Sequence, residues 1–123
     1  MSIALDPTIK SFLDRFFVGV MIQNNKGVVE YTNQAMCSIF GLQADQIVGK
    51  AGTNSLWTIT DLEGNEIESQ NLPMWQSLRE KKPLENMILG VLRPDKKHIY
   101  ILLSIIPEVT SNQQEISQVF IMV

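Results

Sequence analysis

The sequence predicts an α+β domain in which one antiparallel sheet carries its helices on one face. Two β-rich runs lie near the N-terminus, short amphipathic helices follow them, and three longer β-rich runs complete the chain. With 123 residues, 45% of them hydrophobic and 19% charged, the chain can enclose one core and has little left for a second. We therefore expect one domain built on one sheet.

Residues 1–16 form the first predicted element, an amphipathic helix. Asp6 can cap its N-terminus, and Pro7 suits its first turn. Its apolar residues recur at the i, i+3, i+4, i+7 spacing of one helix face. This apolar stripe needs cover from the same chain or from a second copy, and it consists of Ile9, Phe12, Leu13 and Phe16.

A hairpin and two short helices follow. The strand runs Val18 to Gln23 and Val28 to Thr32 are separated by Asn-Asn-Lys-Gly, which supplies turn-forming residues. Asn33 can cap a helix that ends at Gly41. The residues from Asp45 to Val48 add one further helical turn.

The second half begins with an irregular segment around Trp57. An amphipathic helix over Asn71 to Lys81 comes next, with a proline in its first turn. Three strands are then predicted, because β-branched and other apolar residues are interrupted only by polar turn sequences. These strands run from Leu84 to Leu92, from His98 to Ile106 and from Ile116 to Val123.

Two sets of residues are informative through their order and spacing. The first half holds Asn24, Gly27, Val29, Tyr31, Asn33, Phe40, Gly41, Gly49 and Lys50, and the second half holds Arg93, Pro94, Asp95, Tyr100, Ser104 and Pro107. This order resembles the PAS domains, small sensory modules of signalling proteins, over about residues 17–123. The resemblance implies a five-stranded antiparallel sheet in the order 2-1-5-4-3, with helices enclosing a cavity on one face. It also implies a C-terminal effector domain outside this chain.

By analogy with ligand-binding PAS domains, alternate strand residues and the helix residues opposite them would line a cavity. Their long, flexible and aromatic side chains suit a small apolar or planar ligand. Gln23 is the predicted inward polar side chain and therefore the best candidate for a ligand contact. The alternative is a filled core with no space for a ligand. The candidate pocket comprises Met21, Gln23, Met36, Phe40, Trp57, Met74, Trp75, Leu78, Met87, Leu89, Ile101, Leu103, Ile105 and Ile121.

The opposite face of the predicted sheet is also apolar. Its residues would leave a sizeable exposed patch if nothing covered them. The N-terminal apolar stripe can cover this face within the chain or against a second copy, and the resemblance favours a homodimer. The alternative is a monomer that covers itself. The predicted outward residues are Tyr100, Leu102, Ile106, Phe120 and Met122.

Other function classes find little support in the composition. A net charge of −3 provides no basic surface for nucleic acid. His98 is the only histidine and Cys37 the only cysteine, so we expect a solvated histidine, an inert thiol near the polar flank of its helix, and no enzyme. No apolar run approaches the ~20 residues of a membrane span, and the lone cysteine favours the cytoplasm.

The resemblance also bears on cofactors. Light-sensing relatives place a reactive cysteine after the Gly-Lys pair, whereas Ala51 to Trp57 contains none. Haem-binding relatives place a histidine on the helix that Asn71 to Lys81 occupies here, and that residue type is missing too. Covalent flavin and histidine-ligated haem are therefore disfavoured, and the cofactor stays unknown.

Together, the residues and the resemblance predict a sensory module of a signalling protein. It would bind a small ligand or partner and relay a conformational change to a histidine kinase or diguanylate cyclase. The alternative is a ligand-free module for dimerisation and transmission, with a filled core.

Overall fold

The computed structural model describes residues 7–50, 56–109 and 116–123. The strands are β1 (Val20–Asn24), β2 (Val29–Thr32), β3 (Thr58–Thr60), β4 (Leu84–Leu92), β5 (His98–Val109) and β6 (Ile116–Met122). The helices are α1 (Pro7–Leu13), α2 (Gln34–Phe40), α3 (Ala44–Ile47) and α4 (Pro73–Glu80), the last preceded by a 3-10 turn at Ser69–Asn71.

One sheet holds all these strands in the order β2-β1-β6-β5-β4-β3, and every neighbouring pair is antiparallel. The five strands expected from the sequence take the order that the resemblance implied. The expected number is too low, because β3 pairs with β4 and adds a sixth strand at the edge. This strand has only three residues and follows an irregular segment, so its pattern alone did not mark it.

The two faces of β5 differ in burial, as the alternation of its residues predicts. Ile101, Leu103 and Ile105 are buried on the inner face, where α2, α3 and α4 pack. Leu102 and Ile106 point the other way and are exposed. The main core therefore lies between the inner face of the sheet and these three helices.

The N-terminal helix covers only part of the outer face. Leu13 and Phe16 pack against a small cluster of Val20, Ile22 and Tyr31 on β1 and β2. The helix ends at Leu13, so Phe16 lies beyond it rather than on the predicted stripe. The other two stripe residues, Ile9 and Phe12, are exposed. Asp6, the predicted cap, lies outside the described residues.

Helix α2 begins and ends with the residues that its sequence predicts. The Asn33 side chain accepts a hydrogen bond from the Met36 N–H, and Gly41 ends the helix in the left-handed conformation, at φ 71°. Arg93, from the β4–β5 hairpin, donates to the Ile39 carbonyl at 3.3 Å and pairs with Asp95 at 2.8 Å. The end of α2 is thereby attached to the hairpin.

Replacing Gly41 by alanine is expected to destabilise the domain more than replacing Gly49. Both glycines have positive φ, which imposes ~1–2 kcal/mol on an alanine. A Cβ at Gly41 would also collide with the Arg93 guanidinium, whereas one at Gly49 would meet nothing within 4 Å. Displacing Arg93 should remove a further ~1.5–3 kcal/mol, the usual contribution of a hydrogen bond to a charged group. Urea unfolding of both variants tests this, and equal losses would contradict it.

Candidate ligand cavity

A partly enclosed cavity of about 110 Å³ lies between helices α2 and α4 and the inner face of the sheet. Met36 and Phe40 reach it from α2, and Met74 and Trp75 reach it from α4. The short turn at Gly27 forms another part of its wall. The cavity thus lies where the resemblance placed one.

Most of the predicted pocket residues come together around this cavity. Leu78 and Met87 instead pack against the core cluster without lining the space. Ile121 pairs through its backbone with Met21 and Ile105, and its side chain lies outside the part that the structure describes. The predicted residues that line the cavity are Met21, Gln23, Met36, Phe40, Trp57, Met74, Trp75, Leu89, Ile101, Leu103 and Ile105.

Other lining residues were not among the candidates that we drew from the sequence. Lys50 is the second residue of the Gly-Lys pair, and its carbonyl accepts a hydrogen bond from the Val29 N–H at 3.0 Å. This hydrogen bond holds Lys50 beside Val29 at the start of β2, where it forms part of the cavity wall. The Gly-Lys pair was the only sequence signal available for it. The additional lining residues are Gly27, Lys50, Ile59, Leu72, Pro73 and Val123.

Aromatic rings shape two sides of the cavity. Phe40 and Trp57 stack with their ring centroids 4.9 Å apart and their planes 12° from parallel. Trp75 lies close to the β1–β2 turn, since a Cβ at Gly27 would be 3.1 Å from its ring. Flat surfaces of this kind favour a planar or apolar occupant.

Gln23 introduces polarity into this wall. Its Nε2 faces the Met21 sulfur at 3.8 Å. Its Oε1 is buried and has no hydrogen-bond partner among the described residues. Buried polar atoms in native proteins almost always have a partner. The wall of the cavity therefore includes a side chain whose acceptor oxygen is unsatisfied.

Asn33 connects the cavity wall to the N-terminal helix. Its Oδ1 accepts hydrogen bonds from the Val20 N–H at 2.8 Å and the Met36 N–H at 3.0 Å. Its Nδ2 donates to the carbonyls of Leu13 and Val18, both at 2.9 Å. The side chain is fully buried. Its bonds to Val20 and Met36 are buried too, and those to Leu13 and Val18 are partly buried. We call this residue and its four partners the Asn33 junction.

Tyr31 fixes the same helix from the neighbouring strand. Its hydroxyl donates to Asp14 Oδ1 at 2.7 Å. Burial first, and the hydrogen bond to Asp14 second, raise the pKa of Tyr31 above its ordinary value. The hydroxyl therefore stays protonated and keeps this bond up to alkaline pH. The bond fastens Asp14, the residue that follows α1, to β2.

The single cysteine and the single histidine both contact other elements of the fold. Cys37 is buried in the core cluster, not near the polar flank that we predicted, and burial raises the pKa of its thiol. His98 is exposed and its Nε2 lies 2.9 Å from Thr60 Oγ1. Because the Thr60 hydroxyl donates to the Asp61 carbonyl, its oxygen is free to accept from the imidazole. This bond ties β3 to β5 across β4.

The described part of the chain holds no cluster of metal-ligating side chains and no helix that could span a membrane. Within residues 7–50, 56–109 and 116–123, no three His, Cys, Asp or Glu side chains lie together as metal ligands would. The helices of this same part of the chain are all too short or too polar to cross a bilayer.

Comparison with known proteins agrees with this geometry. The family model of the PAS domain matches residues 18–123. No curated protein matches the sequence.

The fold also resembles solved structures. A PAS domain from Colwellia psychrerythraea aligns over 92% of this chain and 90% of its own, with a TM-score of 0.69 and 13% identity. A PAS domain from a two-component sensor histidine kinase covers 94% and 90%, with a TM-score of 0.67 and 11% identity. The PAS domain of the fruit-fly ELK potassium channel covers 94% and 91%, with a TM-score of 0.67 and 16% identity.

Proposed function

Because the chain belongs to the PAS domain family, we propose that it senses a small apolar or planar ligand and relays a conformational change to an effector domain. A sensory signalling module is the role of the family as a whole. The apolar or planar ligand and the relay of a conformational change go beyond that family role and are proposed here for this chain. The observation that carries it is the cavity between α2, α4 and the sheet, whose wall includes Gln23 with its unsatisfied side-chain oxygen.

Two contacts support a relay from the cavity to the ends of the domain. Val123 lines the cavity, and its backbone exchanges two hydrogen bonds with Gly19, at 2.8 and 3.0 Å. Met36 also lines the cavity, and the Asn33 junction holds its N–H together with the carbonyl of Leu13. A ligand that prefers one arrangement of Met36 or Val123 would shift the equilibrium between conformations of the segments at both ends of the domain.

The effector that we propose is a histidine kinase or a diguanylate cyclase. The structural likeness to a PAS domain from a two-component sensor histidine kinase supports the kinase. The ELK channel domain has the same fold in another setting, so the fold by itself does not select the output. A cytoplasmic location fits the lone, buried Cys37.

Native mass spectrometry of the purified domain tests ligand binding directly. We expect a reproducible extra mass that disappears on denaturation, because a ligand would satisfy Gln23 and fill the apolar space. The same spectrum counts the subunits. A clean apo mass across expression hosts would contradict a tightly held ligand and favour a ligand-free module for dimerisation and transmission.

A ligand-free module for dimerisation and transmission is the second candidate. The observation that favours it is the exposed apolar surface on α1 and the outer sheet face. The Phe12 side chain is 63% exposed, and Ile88, Tyr100 and Leu102 are each more than half exposed. Surfaces of this kind commonly mark contacts between proteins. We propose that a second copy covers them.

The charge substitution Phe12→Glu should weaken such a dimer. Burying a glutamate in an apolar interface is unfavourable unless it is paired, so the dimer dissociation constant should rise ~10-fold or more. Sedimentation equilibrium over a range of concentrations measures it. Val48→Glu, on an exposed residue after α3, is the matched control and should leave the dimer unchanged. A strictly monomeric wild type would rule out this interface.

A further inference from the structure

The polar atom in the cavity wall constrains the chemistry of the ligand. The Met21 sulfur can accept a hydrogen bond but not donate one, so the Gln23 amide nitrogen faces it. The amide oxygen is then the atom left without a partner among the described residues. An unsatisfied buried acceptor is unfavourable, and a hydrogen-bond donor on the occupant would relieve it. The occupant should therefore carry a hydroxyl or N–H group.

The volume of the cavity limits the size of the occupant. Typical sites for drug-sized ligands have ~300–1,000 Å³. The cavity here has about 110 Å³, and an apolar cavity of ~150 Å³ is known to hold benzene. Because the space is smaller than that benzene site, one small ring, or a chain of similar bulk, is the upper limit for its occupant. A flavin ring system or a haem does not fit without a rearrangement of the wall.

The residues that line the cavity also constrain the charge of the ligand. Apart from Lys50, the lining residues carry no formal charge. Methionine sulfur and methyl groups adapt to small apolar ligands, and the rings of Trp57 and Trp75 offer flat contact surfaces. A carboxylate ligand would have to be desolvated against these walls with a single cation near it. An uncharged molecule suits the site better.

We propose that this cavity binds an uncharged molecule of single-ring size whose hydroxyl or N–H group donates a hydrogen bond to Gln23 Oε1. This inference rests on the proposed sensory function, because it names the ligand class of the same cavity. Gln23 selects the ligand, and the apolar wall limits its size.

Phenol and toluene make a matched pair of probes. They have the same ring and nearly the same bulk, but only phenol has a donor. We would titrate both into the domain by NMR and record the ratio of their dissociation constants. Comparing that ratio between wild type and Gln23→Leu cancels the difference in how water solvates the two probes. The relative preference for phenol should fall at least ~5-fold in Gln23→Leu, as expected for one hydrogen bond to a buried acceptor.

The control and the second variant keep this result interpretable. Gln76→Leu makes the same change on the exposed face of α4 and should leave the ratio unchanged. If Gln23→Leu fails to fold, Gln23→Met supplies a side chain of similar length for the same comparison.

Three outcomes would overturn the proposal. An unchanged ratio would remove the role of Gln23 while leaving ligand binding, and the sensory function, intact. Tighter binding of benzoate than of phenol would point to Lys50 and an anionic ligand instead. Binding of neither phenol nor toluene up to their solubility would exclude the ring-sized class, and the sensory function would then depend on the ligand mass seen in the native spectrum.

Discussion

Replacing Asn33 by alanine is expected to lower the free energy of unfolding by ~3–5 kcal/mol. The substitution removes the Asn33 bonds of the Val20 and Met36 N–H groups and of the Val18 carbonyl. The Leu13 carbonyl keeps only its bond from the Phe16 N–H, at 3.1 Å. Each buried group that loses its hydrogen bond contributes ~1–3 kcal/mol, and water entering the gap recovers part of it. The total free energy of unfolding of a single domain is only ~5–15 kcal/mol. Urea unfolding followed by circular dichroism measures the loss.

Asn71→Ala is the matched control, because Asn71 is exposed in the 3-10 turn before α4. We expect it to change stability by no more than ~0.5 kcal/mol. Hydrogen exchange adds a readout that overall stability does not give. In Asn33→Ala under native conditions, amides around α1 should exchange faster than those of the central strands. A loss below ~1 kcal/mol, with α1 still protected, would show that the junction is not needed to hold the helix.

The Asn33 junction also connects α1 mechanically to the rest of the domain. One side chain bonds the first turn of α2, the start of β1 and the carbonyl at the end of α1. Met36 in α2 lines the cavity, so a shift of α2 changes the position of the atom that holds α1. Coupling of this kind needs two distinct arrangements that a ligand can distinguish. Any ligand bound beside Met36 is well placed to bias them.

Local patterns in the sequence were sufficient for much of the fold. The boundaries predicted for β4 match those in the structure, because a polar turn lies at each end of an apolar run. The β1–β2 hairpin and the capped helix α2 also follow from turn and cap residues within a few positions of each other. Strand β3 could not be found in this way. Its three residues form a strand through pairing with β4 and through the contact between Thr60 and His98. Both partners are distant from β3 in the sequence.

The cavity wall shows the same division between local and distant information. Alternation along β5 and helical spacing on α4 predicted which side chains turn inward. Lys50 and Leu72 come from turns, where no periodicity indicates direction, so only the assembled fold brings them to the cavity. Met87 shares the inner face with Leu89 and packs against the core cluster, but it does not line the cavity. Alternation predicts the face of a strand residue and not its distance from a cavity.

Replacing Phe40 by alanine is expected to have an effect as large as that of Asn33→Ala. Phe40 is buried in the core cluster, stacks on Trp57 and lines the cavity. Removing a buried phenylalanine ring usually lowers stability by ~3–5 kcal/mol, through lost burial and the space left behind. Phe17→Ala is the matched control, because Phe17 is fully exposed, and it should change stability by at most ~0.5 kcal/mol. Equal losses in the two variants would contradict the role of Phe40 in the core.

Ligand rescue then distinguishes an enlarged cavity from a collapsed one. In Phe40→Ala the space of the lost ring lies against the existing cavity, next to Trp57. An apolar probe such as toluene should enter it and stabilise the folded state, by ~2.7 kcal/mol at a concentration of 100 times its dissociation constant. The melting temperature with and without toluene measures this, and Phe17→Ala should respond only as the wild type does. If toluene raises the melting temperature of Phe40→Ala no more than that of the wild type, then α2 and the segment carrying Trp57 have closed over the space. In that case the wall would be deformable, and the volume of the unliganded cavity would no longer limit the size of the natural ligand.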